Sequence, residues 1–299
     1  MKAKTADKIA TSILYIISVS IVLLLISFLG YIIYKGAGMI SFNFLFGQPK
    51  NGAAGGGIGP QLFNSFYMLI VSLIITVPIG LGAGIYLSEY AGQGRFVNFL
   101  RLCIETMSSL PSIVVGLFGL LVFVTLAGWK YSVLAGALSV SILNLPSMTR
   151  VSENAIREAS KKVKEASVGL GATRFQTIRK ITLPYAMPQI LTGIILAAGR
   201  IFGEAAAFLY TAGMSAPLFR FGRFSLFGMS AADKMSAYDV FRPAETLAVH
   251  IWKLKSEGSV PDATQIANGA SAVLIIMVLL FNIISRLVGN ALYKSYSGK

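Results

Sequence analysis

Residues 165–184 read EASVGLGATRFQTIRKITLP, and the rest of the chain is best understood outward from them. They belong to a longer stretch, residues 149–185, with eight basic side chains: Arg150, Arg157, Lys161, Lys162, Lys164, Arg174, Arg179 and Lys180. Its first part is rich in Glu, Ala, Lys and Arg, which are good helix formers. Gly169 and Gly171 interrupt the pattern and mark a turn. Thr173 and Gln176 have capping-box spacing, so a second, short helix is expected to start near Thr173. Along it Phe175, Ile178 and Ile181 recur every third residue as one apolar ridge, while Arg174, Arg179 and Lys180 point elsewhere. Pro184 is expected to end the helix. An apolar ridge with a basic surround suits a groove on another protein; it would also suit lipid headgroups.

Apolar runs flank this segment. The chain has 299 residues, 55% hydrophobic and 13% charged, with a mean hydropathy of +0.71. That is a membrane composition. Six stretches approach the ~20 residues needed to cross the hydrocarbon: 11–34, 64–88, 108–127, 131–148, 186–210 and 269–289. Lipid offers no partner for backbone polar groups, so these are read as helices. The expected fold class is all-α, a polytopic membrane protein with six transmembrane helices. Residues 1–60 hold the first span and an outside loop, 61–290 the main membrane domain, and 291–299 a tail.

Basic residues set the expected orientation. Segments 1–10, 89–107, 149–185 and 290–299 would lie inside, placing both termini in the cytoplasm and loop 211–268 outside. The net charge of +14 follows from these basic loops, so nucleic acid is not an expected partner. Lys2, Lys4 and Lys8 precede an apolar run too long for an ordinary signal peptide core, which reads as an uncleaved first span. Cys103 is the single cysteine and His250 the single histidine, so neither an internal disulfide nor a common His/Cys metal site can form. The sole Gly-Lys pair is Gly298-Lys299, so there is no P-loop. Neither a catalytic group nor a cofactor of its own is expected in this chain.

Four further features carry alternatives. The run Gly55-Gly56-Gly57-Ile58-Gly59-Pro60 could bind an anion through backbone N–H groups, but is read by preference as a flexible linker. Ser108, Ser109 and Ser112 surround Pro111, which either breaks a span beside a cavity or simply opens a helix. Residues 243–255 form an amphipathic pattern through Leu247, Ile251 and Leu254, with Glu245 near its start and Lys253 and Lys255 near its end. Such a helix either covers the outer mouth or packs on its neighbours. Arg200 and Glu204, four residues apart in the fifth apolar stretch, are expected to share a helix face. An arginine at mid-membrane costs roughly 2.5–3.5 kcal/mol, so it usually faces a bundle interior or a pathway. Arg200 could bind an anionic substrate with Glu204 tuning it, or the two could form a salt bridge that locks packing.

The motifs together resemble a known family. Glu165-Ala166-Ser167, Gly169-Leu170-Gly171-Ala172-Thr173 and Thr182-Leu183-Pro184 are similar to the EAA loop of ABC importer permeases (the MetI-like fold). Gly56-Gly57-Ile58-Gly59-Pro60, Tyr86-Leu87-Ser88-Glu89-Tyr90-Ala91, Leu110-Pro111-Ser112-Ile113-Val114-Val115-Gly116 and Arg200-Ile201-Phe202-Gly203-Glu204 resemble phosphate permeases. Leu209-Tyr210-Thr211-Ala212-Gly213 resembles the PstA type rather than the PstC type. The resemblance implies a permease subunit of an ATP-driven phosphate importer in a bacterial or archaeal plasma membrane, working by alternating access. Phosphate would pass by Arg200, Glu204, Ser108, Ser109 and Ser112. Glu165, Ala166, Gly171, Thr173, Phe175, Ile178 and Pro184 would form the coupling element. The implied partners are a PstC-type permease, a PstB-type ATPase dimer that holds ATP and Mg, a PstS-type external binding protein, phosphate and the bilayer. Three positions depart from the family pattern: Ser160 replaces a common Pro, and Ala205 and Ala207 replace Thr and Pro. The remaining alternatives are a permease for phosphonate or sulfate, an ATP-independent channel or secondary transporter, and a lipid-binding scaffold.

Overall fold

The computed structural model describes residues 3–50, 53–92, 94–215, 225–227, 236–258 and 260–297. Asn51 and Gly52 of the Gly-rich loop, Arg220, Arg223 and Lys234 of the loop 211–268, and Lys2 and Lys299 of the termini lie outside the described residues. Among the described residues eleven α-helices run in order: α1 (Ala3–Ala37), α2 (Phe42–Phe46), α3 (Gly59–Ile85), α4 (Arg95–Ser108), α5 (Ser112–Gly119), α6 (Val133–Gly169), α7 (Arg174–Thr177), α8 (Leu183–Gly203), α9 (Ala206–Thr211), α10 (Leu247–Glu257) and α11 (Ala263–Ser297). Three π-helical turns extend them: Tyr86–Tyr90 after α3, Leu120–Leu126 after α5, and Ile178–Thr182 between α7 and α8.

The all-α expectation holds. Among the described residues four continuous helices are long and apolar enough to cross a membrane: Ala3–Ala37, Gly59–Tyr90, Arg174–Gly203 and Ala263–Leu287. The third expected span is a pair, Arg95–Ser108 and Ser112–Leu126, bent by 100°. Pro111 makes the bend, because its extended backbone (ψ 140°) directly precedes α5 and its ring supplies no N–H. The fourth expected span is the first half of α6, which is not among these strongly apolar helices. Its uncharged residues 133–149 sit within the bundle, and the same helix then runs on to Gly169 through the basic segment.

α3 and α6 form the central pair, and they approach closely because their contact face is made of small residues. A Cβ on Gly84 would fall 2.5 Å from the Ser152 Cβ and 2.8 Å from the Glu153 nitrogen. Ser141 Oγ donates to the Ser72 carbonyl at 3.2 Å across the same interface. Around this pair Met68, Val133, Val140, Ile201, Phe202 and Phe208 make a continuous core. α1 stands apart, with its apolar surface exposed and its contacts directed to α11. In water such a surface would aggregate; in a bilayer it is the lipid-facing side.

The Gly-rich stretch is not a flexible linker. Gly57 N donates to the Gln48 carbonyl at 2.9 Å and Gly59 N to the Gly47 carbonyl at 3.0 Å. A Cβ on Gly57 would sit 2.6 Å from Gly47 backbone atoms, so the glycines serve close packing of two irregular backbone segments. α10 is likewise tucked in. Leu247, Val249 and Leu254 are buried against α11 and its neighbours, which decides between the two readings of that amphipathic helix.

Candidate functional site

The segment 165–184 has the local design its sequence implies. α6 ends at Gly169, and Gly171 takes a left-handed φ of 84°. Glycine adopts that conformation without strain. Both halves of the capping box are formed: Thr173 Oγ1 accepts from Gln176 N at 3.3 Å, and Gln176 Oε1 accepts from Thr173 N at 2.9 Å. A hydroxyl contact of 2.8 Å between Ser167 and Thr177, both buried, ties α7 back to the end of α6. Arg174 lies 5.4 Å from the Tyr90 ring centroid, joining the same element to the end of α3. α7 is therefore clamped to both central helices.

Two expectations for this element are corrected. Pro184 does not end a helix: residues Arg174–Gly203 form one continuous helix, with Pro184 in the first turn of α8. The π turn Ile178–Thr182 has i→i+5 bonds, closed by Leu183 N on the Ile178 carbonyl, and delivers the chain to the proline without a break. The same wider turn disrupts the three-residue ridge. Ile178 is 5% exposed and packs inward, whereas Phe175 is 61% exposed. The outward apolar surface is Phe175 with Val168, Leu170 (90% exposed) and part of Ile181. Glu165 and Ala166 are exposed beside it.

Ion pairs brace the helices behind α7. Glu153 is the hub, accepting from Arg101 at 2.8 Å and also from Arg157. Glu89, buried in the π turn after α3, pairs with Lys164 at 2.9 Å. Charge-assisted bonds of this kind hold α3, α4 and the basic half of α6 as one unit.

Arg200 and Glu204 do not pair. α8 stops at Gly203, and Glu204 is extended (φ −71°, ψ 127°), so the expected common helix face is lost. The Glu204 carboxylate instead turns forward, and its Oε1 accepts from Ala207 N at 3.1 Å, capping α9. The break persists although Ala205 and Ala207 stand at the departing positions. Arg200 is exposed on α8, on one stripe with Pro188, Thr192 and Leu196. Among the described residues it makes no ion pair or hydrogen bond. At the other bend the serines bond locally: Ser108 Oγ donates to the Glu105 carbonyl at 2.8 Å and Ser109 Oγ to the Thr106 carbonyl at 2.7 Å. Ser112 begins α5, which packs on α9, so the two chain breaks lie on neighbouring elements.

A polar network at the opposite end from α7 escaped the sequence reading. Glu245, 3% exposed, accepts from Gln61 Nε2 at 2.8 Å and lies 3.3 Å from His250 Nδ1 and 3.7 Å from Lys253 Nζ. Arg242 donates to Asn64 Oδ1 at 2.8 Å and to the Ala237 carbonyl, and burial pushes its guanidinium down to about 10. These contacts pin the start of α3 to α10. Glu245 and Lys253 looked like ordinary dipole-matching charges; only tertiary packing makes them neighbours of Gln61.

Apolar helices, a sharply bent span and a clamped, partly apolar element at one end describe a multi-pass membrane protein. The chain belongs to the family of binding-protein-dependent transport system inner membrane components, whose model matches residues 76–298. It is 48% identical over 294 residues, 98% of each chain, to the probable ABC transporter permease protein YqgI of Bacillus subtilis (strain 168). It is 30% identical to the phosphate transport system permease protein PstA of Yersinia pestis, over 80% of this chain and 75% of the relative. Among solved structures, a bacterial alginate ABC transporter in complex with its alginate pentasaccharide-bound periplasmic protein aligns with a TM-score of 0.68 at 16% identity, covering 97% of this chain and 96% of the other. The MetNI methionine ABC transporter in inward-facing conformations aligns at 0.58 and 20% identity, over 77% and 93%. The ABC importer permease fold is thereby shown.

Proposed function

We propose that the chain is the PstA-type permease subunit of an ATP-driven importer of inorganic phosphate. The reading rests most directly on Arg200, a guanidinium on a membrane-spanning helix with no protein partner among the described residues. Such a group costs roughly 2.5–3.5 kcal/mol at mid-membrane unless something compensates it. A dehydrated oxyanion offers that compensation, and guanidinium donors match its geometry. The 30% identity to a phosphate permease across most of the chain supports phosphate within the oxyanions. Phosphonate or sulfate is the second reading.

Arg200 makes the contact in this reading, and Glu204 sets the break that leaves it at the end of α8. Ser108, Ser109 and Ser112 line the neighbouring bend. A homologous PstC-type chain supplies the other wall of the pathway, and a PstS-type protein delivers phosphate from outside. α7, with Phe175 and Leu170 outward, docks on a PstB-type ATPase dimer, which holds ATP and Mg; this chain needs no cofactor. Both termini and α7 face the cytoplasm, as the basic residues of α6 and α7 support. Because α7 and α8 are one helix, a push on α7 moves Arg200 directly, which suits alternating access.

Arg200→Ala tests the role. Uptake of phosphate by the assembled complex should be abolished while the complex still forms and retains basal ATP hydrolysis. Normal uptake by Arg200→Ala would remove the reading.

A further inference from the structure

The Arg200 stripe of α8 continues into a groove that the transport reading does not use. Pro188, Leu191, Thr192, Ile195 and Leu196 of α8 face Asn282, Arg286 and Gly289 of α11 across a groove of about 420 Å³. Arg286 falls in the last turns of the span Ala263–Leu287, at the end of the molecule that carries α7. It is exposed, and among the described residues it has no ion pair or hydrogen bond. Thr192 Oγ1 donates to the Pro188 carbonyl at 3.0 Å and Asn282 Nδ2 to the Val278 carbonyl at 2.8 Å. One Asn282 N–H and the whole guanidinium fork are left to donate into a groove whose other side chains are mostly apolar.

From this arrangement we infer that the α8–α11 groove is an oxyanion site, with Arg286 as the charged donor and Asn282 as the neutral one. The chemistry is that of a phosphate group. A cation at the edge of the hydrocarbon needs an anionic partner or water, and a fork of N–H donors takes a phosphate through two oxygens. Two sources fit: the headgroup of an anionic phospholipid seated between the helices, or free phosphate leaving the pathway. Thr192 and Arg200 are eight residues apart on one stripe, so the second source would descend about 12 Å along α8. The headgroup case stands independently of the proposed substrate; the free-phosphate case rests on it.

The test uses the assembled complex in nanodiscs, comparing wild type, Arg286→Gln, Arg286→Lys and Asn282→Leu. Retention of phosphatidylglycerol against phosphatidylcholine is read by native mass spectrometry, and binding of radiolabelled inorganic phosphate is read in phosphatidylcholine discs. Loss of a charge-assisted bond should weaken one ligand by about 10- to 100-fold in Arg286→Gln. A smaller loss is expected in Asn282→Leu, and partial rescue in Arg286→Lys, which keeps charge but not the fork. Selective loss of phosphatidylglycerol identifies the headgroup. Loss of phosphate binding in neutral discs identifies the free ion, and phosphate uptake by the wild-type complex, measured beside it, shows whether phosphate is transported at all. Wild-type retention of both ligands by Arg286→Gln would overturn the inference, and so would weakening that Arg286→Lys and Asn282→Leu fail to follow.

Discussion

Replacing Gly171 by valine isolates what the turn before α7 contributes. Gly171 has φ 84°, and a Cβ there would touch nothing within 4 Å. The penalty is therefore conformational rather than steric. A β-branched residue held in the left-handed region costs about 1–3 kcal/mol. If the loop relaxes to avoid that cost, the population of the native turn falls about 5- to 150-fold, since each 1.4 kcal/mol is tenfold. Gly169 is the control: its Cβ would also meet nothing, but it lies at the end of α6 without a positive φ. Gly169→Ala should be neutral or stabilise the helix by up to ~1 kcal/mol. The assay is ATP hydrolysis and substrate uptake by the reconstituted complex, measured on one preparation. Gly171→Val should lower uptake per ATP at least fivefold, with the membrane bundle intact by thermal melting, while Gly169→Ala keeps wild-type coupling. Equal coupling in the two variants would refute the claim that the turn positions the docking element.

Other perturbations separate the remaining parts. Phe175→Ala should weaken recovery of the ATPase from detergent extracts, whereas Ile178→Ala, a buried side chain, should lower the melting temperature instead. Glu204→Ala removes the cap of α9 and should cost about 0.5–2 kcal/mol, with Glu204→Gln intermediate, as read by thermal unfolding in detergent. Gly84→Leu should force α3 and α6 apart, since even its Cβ would meet backbone at 2.8 Å; loss of expressed, folded protein on size exclusion is the expected result.

The parts legible in the sequence were those fixed by local chemistry. The Gly171 turn and the Thr173–Gln176 capping box need only neighbouring residues, and both formed as read. The six apolar stretches were legible because lipid imposes length and composition on any spanning helix. The break after Gly203 was not, because Ile201-Phe202-Gly203-Glu204-Ala205-Ala206 contains no proline, and the Glu204 bond to Ala207 N at the start of α9 appears only once the chain has turned there. The direction of Ile178 was hidden by the π turn, which changes the helical period the ridge relied on. Glu245 illustrates the third kind of miss. Its dipole-matching position was visible, but its partner Gln61 lies 184 residues away.

The most direct measurement of the central claim is ATP hydrolysis by the purified complex, with its binding protein, in the presence of phosphate, sulfate or phosphonate. Phosphate-loaded binding protein should stimulate the wild type and leave the Arg200→Ala complex at its basal rate, and sulfate and phosphonate should have little effect on either. Stimulation by sulfate or phosphonate but not by phosphate would contradict the substrate assignment. Recovery of this chain with no ATPase would contradict the coupling role of α7.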